Sequence, residues 1–171
     1  MRETVEDLPR LCSLAIELGA VDAKLISADQ VVVRDWVRWK CHFGCDNYGR
    51  SLMCPPHTPN PDETRALLKE YEFALLFRLK PSAPKTLDVE LERRIFLEGY
   101  PAALVLTSGS CHLCEECDVK RGYCVKPLEA RPSMESCGIS VFDTARNAGY
   151  KIEVLKSKDE EYFRYGLVLI C

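Results

Sequence analysis

The clearest chemical signal in the chain is a run of closely spaced cysteines in its second half. Cys111, Cys114 and Cys117 are separated by two residues each, and Cys124 follows after a short loop. Two-residue gaps let three thiolates converge from one tight loop onto a small inorganic group, which core packing does not require. The spacing predicts a 4Fe-4S cluster held by these four cysteines, with Cys137 as a reserve ligand.

A second group of cysteines lies in the first half of the chain and comprises Cys41, Cys45 and Cys54. Glycines between them permit tight turns, and two prolines after Cys54 stiffen the exit of the loop. We interpret the group as a second metal site with three thiolates. Its fourth ligand would be His57, another cysteine or a small molecule, and an iron with an exchangeable position can activate a substrate.

Zinc is the alternative metal at both groups, because it also binds thiolates and imidazoles. Cys41, Cys45, Cys54 and His57 form an acceptable ligand set for a closed structural zinc site. Structural zinc sites usually take their ligands as two separated pairs, whereas the second group is a run of three cysteines. This run therefore favours an iron-sulfur cluster over zinc.

The remaining cysteines and the other two histidines are expected to lie outside the metal sites. Cys12 falls within a helical apolar pattern, which predicts core packing, and Cys171 ends an apolar strand, as a core residue or a free thiol. His42 and His112 each directly follow a cysteine. Adjacent residues rarely point at the same metal, so we expect these two side chains to support the site or face solvent.

Composition narrows the range of partners. The chain has 171 residues, with 23 Lys and Arg against 26 Asp and Glu, and it carries no basic tract. A nucleic-acid partner is therefore not expected. The sequence contains neither 18 consecutive apolar residues nor the apolar stretch of a secretory signal, so we predict a cytoplasmic protein without a membrane association. In a reducing compartment, ten cysteines indicate metal binding or redox chemistry rather than disulfides.

Hydrophobic periodicity predicts alternating helices and strands. Helices are expected at 7–18, 60–71, 87–97 and 140–148, and strands at 23–26, 31–33, 73–79, 102–106, 152–155 and 167–171. This order is typical of an α/β or α+β fold with a central mixed sheet flanked by helices. We predict a single metal-binding domain over residues 1–171, with cysteine-rich loops near 41–57 and 111–137 at strand ends.

Several motifs together resemble a known family. They are Cys41 and Cys45 with Asn47-Tyr48-Gly49-Arg50, Cys54-Pro55-Pro56, Cys111-His112-Leu113-Cys114 through Cys117 and Cys124, and Arg131-Pro132-Ser133-Met134-Glu135 with Gly138-Ile139. Over most of its length the chain is similar to the predicted metal-binding proteins grouped as domain of unknown function 2284. The resemblance implies a metal-binding protein, with an iron-sulfur cluster as the expected group, of a kind common in anaerobic bacteria and archaea. It implies no reaction, and in this pattern Cys137 occupies the place of a small nonligand residue.

Three functional hypotheses follow from these sites. The first is a protein that carries one or two 4Fe-4S clusters and passes electrons to a redox partner protein. The second is an enzyme in which the three-cysteine cluster binds a small-molecule substrate at its open iron. The third is a zinc-stabilised interaction module without a redox role.

Overall fold

The computed structural model describes residues 8–171, so the predicted start of the first helix, at Asp7, lies outside the described residues. The helices are α1 (Pro9–Glu17), α2 (Asp35–Gly44), α3 (Pro61–Leu68), α4 (Thr86–Leu97) and α5 (Val141–Asn147). The strands are β1 (Asp22–Ser27), β2 (Phe73–Leu79), β3 (Leu104–Leu106) and β4 (Arg164–Leu169). Three short 3-10 turns cover Ala28–Gln30, Val119–Arg121 and Glu135–Cys137.

The four strands form one sheet in the order β1-β2-β4-β3. All three pairings are antiparallel, with Leu25 opposite Leu75, Phe77 opposite Gly166, and Val105 opposite Val168. The fold is therefore α+β. The expected mixture of parallel and antiparallel pairs is wrong: the helices that join β1 to β2 and β3 to β4 return the chain in the opposite direction, so these neighbours pair antiparallel.

Helices and loops cover both faces of this sheet, so alternate residues of β2 enter two different cores. Leu75, Phe77 and Leu79 pack on the side of α1 and α4. Ala74 and Leu76 pack on the side of α5, together with buried residues of the segment 134–139. Burial on both sides explains why β2 is a continuous apolar run instead of an alternating one.

Two predicted strands do not form. Residues 31–33 follow the 3-10 turn at Ala28–Gln30, and within them Val33 makes a single bridge to Ile139. Residues 152–155 have no regular structure. Both segments contain β-branched residues, but a strand needs a neighbour along its whole length, and neither segment lies beside a free sheet edge over several residues. The helix at 35–44 was not predicted.

The start of α3 agrees with its predicted capping box. The Asn60 side chain accepts hydrogen bonds from the backbone N–H groups of Asp62 and Glu63 at 2.9 and 3.0 Å, and the Glu63 carboxylate accepts one from the Asn60 N–H at 2.8 Å. The helix itself ends at Leu68, before the predicted Tyr71. Along the part of the chain that the model describes, we find no helix both long and apolar enough to cross a membrane.

The capping box gives a first testable prediction. Changing Asn60 to Ala removes the acceptor for two N–H groups at the helix start, and we expect the free energy of unfolding to fall by about 1 kcal/mol. Urea unfolding followed by circular dichroism measures the change. The Asn60→Asp variant keeps the acceptor and should stay close to wild type. An Asn60→Ala variant as stable as wild type would show that solvent replaces the cap.

Candidate metal centre

The first cysteine group lies around the C-terminus of α2, not at a strand end as expected. Cys41 lies in the last turn of the helix, and Cys45 is its C-cap residue. Residues four apart lie on the same side of a helix, so the two thiols are neighbours. The negative charge of a Cys45 thiolate is accordingly one cause of the raised pKa of Cys41, after the larger effect of burial.

Contacts in its N-terminal half hold α2 in place. At its start, the Arg34 N–H donates to the Gly138 carbonyl at 2.9 Å, and the Ser140 N–H donates to the Val32 carbonyl at 2.8 Å. Within the helix, Arg38 Nη1 donates to the carbonyls of Pro59 and Ser136 at 2.9 and 2.6 Å. Arg38 thus connects the helix that carries Cys41 to the loop after Cys54. Nothing in the sequence identified this role.

Cys54 completes the first group from a turn between α2 and α3. Its side chain is buried, with 7% of the residue exposed. The Cys54 N–H donates to the Ser51 carbonyl, and the Gly49 N–H donates to the Pro55 carbonyl at 2.7 Å. Burial raises the pKa of the Cys54 thiol. A hydrogen bond from Ser51 lowers it, and the charges of Cys45, Cys41 and Cys111 raise it further.

The second group lies in the loop that follows β3, as predicted. Cys111, Cys114, Cys117 and Cys124 all line one cavity of about 400 Å³. The opposite wall of this cavity is formed by Asn47 and residues 49–53, which come from the first cysteine loop. The Leu52 N–H donates to the Cys117 sulfur at 3.4 Å. The two cysteine loops therefore pack against each other.

Two carboxylates hold the segment that carries the second group. Asp88, with 2% of the residue exposed, accepts hydrogen bonds from the N–H and hydroxyl of Ser108 at 3.1 and 3.0 Å. Glu92 binds Arg131 through two hydrogen bonds at 3.0 and 2.6 Å, and also accepts from the Val105 N–H at 2.6 Å. These contacts fix both ends of the loop against α4.

The Glu92–Arg131 pair gives a second prediction. Its side chains are only 12% and 22% exposed, so changing Arg131 to Met leaves a mostly buried carboxylate with one partner fewer. We expect a loss of about 2 kcal/mol in the free energy of unfolding. Arg93→Met is the matched control, because Arg93 pairs with Glu90 at the surface, where such pairs contribute about 0.5 kcal/mol or less. Equal effects in urea unfolding would contradict the bracing role of Arg131.

The other candidate residues are distributed as follows. Cys137 is packed in the core on the α5 side with 2% exposed, and burial raises its pKa to about 11. Cys12 packs against the core on the α1 side, whereas Cys171 is an exposed thiol.

His57 is exposed on the turn after Cys54. His42 lies between the rings of Phe43 and Tyr48, and His112 forms a 2.9 Å hydrogen bond with the Ser110 hydroxyl.

All ten cysteines are free thiols, so the donor chemistry for a metal group is present. Among residues 8–171, no three His, Cys, Asp or Glu side chains are placed so that they could hold a metal ion. Binding a metal group at these loops therefore requires the thiols to lose their protons and turn inward.

A further cavity of about 500 Å³ lies beside the first group. Its walls include Cys41 and Cys45 together with Trp36, Phe142 and Val154. It is largely apolar, and the irregular segment after α5 contributes Val154 to its wall. A cavity of this size is within the range that holds a small organic molecule.

The comparisons with known proteins agree with the thiol-rich character of these loops. A family model described as "Predicted metal-binding protein (DUF2284)" matches residues 24–170, which include all seven cysteines of the two groups. No curated protein and no solved structure matches the chain.

Proposed function

Because the chain belongs to the DUF2284 family of predicted metal-binding proteins, we propose that it carries 4Fe-4S clusters and passes electrons to a redox partner protein. The ligands would be Cys41, Cys45 and Cys54 in one loop and Cys111, Cys114, Cys117 and Cys124 in the other. A bound cluster supplies reversible one-electron transfer, and the protein supplies the thiolates and the partly buried surroundings.

The observation that carries this proposal is the common cavity of the second group. All four of its cysteines line the same space of about 400 Å³, although Cys124 is separated from the others by a 3-10 turn. Asp118 stabilises that turn, because its side chain accepts a hydrogen bond from the Arg121 N–H. The turn lets Cys124 fold back towards the run of three, as the fourth member of a cluster site must.

The same loops support a short path for electrons to a partner. Glu115, Glu116 and His112 are exposed, and the four cysteines of the second group are half-buried. A cluster held there would lie just below the protein surface.

We further propose that residues 1–171 act as one metal-binding domain, since both loops rest on a single sheet. We also propose that the protein works in the cytoplasm, where free thiols persist.

Anaerobic purification followed by iron, sulfide and zinc assays tests the proposal. We expect about eight irons and about eight sulfides per chain for two cubanes, or about four of each for one. Dithionite should bleach the visible absorption and produce an electron-paramagnetic signal, and mild reoxidation should reverse both. Stoichiometric zinc with negligible iron would instead establish the zinc-stabilised interaction module.

A second candidate function is favoured by the cavity beside Cys41 and Cys45. If the first group holds a cluster with three thiolates, its fourth iron can bind a small molecule seated in this space of about 500 Å³. The protein would then be an enzyme acting on a largely apolar substrate. A change in the electron-paramagnetic spectrum of wild type on adding small organic ligands supports this function. The Cys54→Ala variant is the control: if the same ligands leave its spectrum unchanged, the effect in wild type belongs to the first group.

A further inference from the structure

A small cavity of about 90 Å³ lies between the start of α4 and the start of the second cysteine loop. Lys85 and Asp88 border it from the helix, Ser110 from the loop, and Arg164 from the start of β4. It shares only residues 111–113 with the cavity of about 400 Å³. A site that holds one water molecule needs about 10–15 Å³, so this cavity has room for one group of several heavy atoms.

Asp88 brings a buried carboxylate oxygen to this cavity that lacks a hydrogen bond. Its Oδ2 accepts from the N–H and the hydroxyl of Ser108. Its Oδ1 is buried and accepts from no residue that the structure describes, and only 2% of Asp88 is exposed. Burial raises the pKa of this carboxyl, and the Ser108 hydrogen bonds and the charges of Arg164 and Lys85 oppose that rise. A buried carboxylate oxygen is costly to leave unpaired, so a donor is expected beside it.

Two cations at the same cavity have donors to spare. Arg164 donates from Nη2 to the Ala83 carbonyl at 2.7 Å, and its buried Nε donates to no residue in the described range. Lys85 donates from Nζ to the Ser110 carbonyl at 3.3 Å, which uses one of its three N–H groups. The cavity thus combines unused donors on two cations with one unused acceptor.

A ligand that satisfies all three groups needs acceptors for the cations and a hydrogen to donate to Asp88. A tetrahedral oxyanion that keeps a proton, such as hydrogen phosphate, has this combination. An amino acid also has both kinds of atom, but its ammonium group would lie close to Arg164 and Lys85. Glu129 borders the cavity too, but it is exposed, so solvent screens its charge.

We propose that this cavity binds free inorganic phosphate, with Arg164 and Lys85 holding its oxygens and Asp88 accepting a hydrogen bond from its hydroxyl. Asp88 also gives selectivity against sulfate, because sulfate has no hydrogen to donate and would place an oxygen against the carboxylate. The small volume favours the free anion over a phosphate ester. The inference goes beyond electron transfer and does not rest on which metal the cysteines bind.

Isothermal titration calorimetry at neutral pH, where phosphate keeps a proton and sulfate has none, tests the site. We expect wild type to bind phosphate at least about tenfold more tightly than sulfate, since a hydrogen bond to a charged group contributes that much. Equal binding of the two anions overturns the inference, as does tighter binding of glycerol phosphate or of glycine. No binding of phosphate also overturns it, because the cavity then holds water alone.

The Asp88→Asn variant separates the hydroxyl contact from a general attraction of anions. The Asn oxygen can keep both hydrogen bonds from Ser108, and its NH₂ group then takes the place of Oδ1 as a donor. We expect the preference to reverse, with phosphate bound at least about tenfold more weakly and sulfate more tightly than in wild type. An Asp88→Asn protein that folds, by circular dichroism, and still prefers phosphate contradicts the role of Asp88.

Two lysine variants keep the test valid if Asp88→Asn does not fold. Lys85→Met should weaken the binding of phosphate and sulfate by similar factors, because it removes a cation and leaves the selective acceptor in place. Lys80→Met is the matched control, since Lys80 is exposed and does not border the cavity, and it should bind phosphate as wild type does. Equal losses in the two variants would indicate nonspecific attraction to the surface and overturn the inference.

Discussion

For a chain that carries the proposed 4Fe-4S clusters, removing the iron with a chelator is expected to make trypsin cut after Arg50 and Arg121 at least about tenfold faster. Both bonds lie in the loops that carry the cysteines, and these loops have few backbone hydrogen bonds to the sheet. Metal binding to the folded loops stabilises them by mass action, and about 1.4 kcal/mol of local stabilisation corresponds to tenfold fewer open molecules. Cleavage sites are identified by mass spectrometry of the first fragments.

The chain contains its own control for this experiment. Lys158 lies in an exposed segment remote in sequence from the cysteines, with no regular structure, so the bond after it should be cut equally fast with and without metal. The sheet should resist trypsin in both forms, since its strands are buried on both faces. Equal cleavage after Arg50 with and without metal would mean that the first loop does not depend on a bound metal.

The second large effect is expected from Gly166→Ala in the centre of the sheet. Gly166 on β4 lies opposite Phe77 on β2, and a Cβ atom at this position would be 2.4 Å from Cζ of the Phe77 ring. Phe77 is fully buried in the core on the α1 side, so its ring has no free space to move into. We expect the free energy of unfolding to fall by about 3 kcal/mol, measured by urea unfolding.

Two further variants separate the clash with Phe77 from the general effect of replacing a glycine by alanine. Gly109→Ala is the matched control, because no atom lies within 4 Å of its added Cβ, and it should remain near wild type. Phe77→Leu/Gly166→Ala should be more stable than the sum of its single changes predicts, because the smaller side chain removes the clash. Strict additivity of the two changes would contradict the proposed contact.

The elements that sequence patterns predicted well are those whose apolar residues face a core. β2 was predicted at its observed boundaries, and α4 begins one residue before its predicted start. In contrast, α2 was missed because Val37 is its buried residue, while Trp36, Trp39 and Phe43 are exposed. A helix that buries so little shows no apolar stripe for periodicity to detect. Its position is fixed by Arg38 instead.

The sequence by itself determined that seven cysteines fall into two separate groups, and this local spacing is enough to predict thiolate ligands for a metal. It also determined most of the buried strands and helices. Apolar residues that recur at every second position of a strand, or at every third or fourth position of a helix, reflect burial on one side of that element. Tertiary structure alone decided that the sheet is antiparallel and that Leu52 contacts Cys117. It also brought Cys124 to the same cavity as Cys111, Cys114 and Cys117. The physical reason is that contacts between distant segments depend on how the whole chain packs, which no local spacing records.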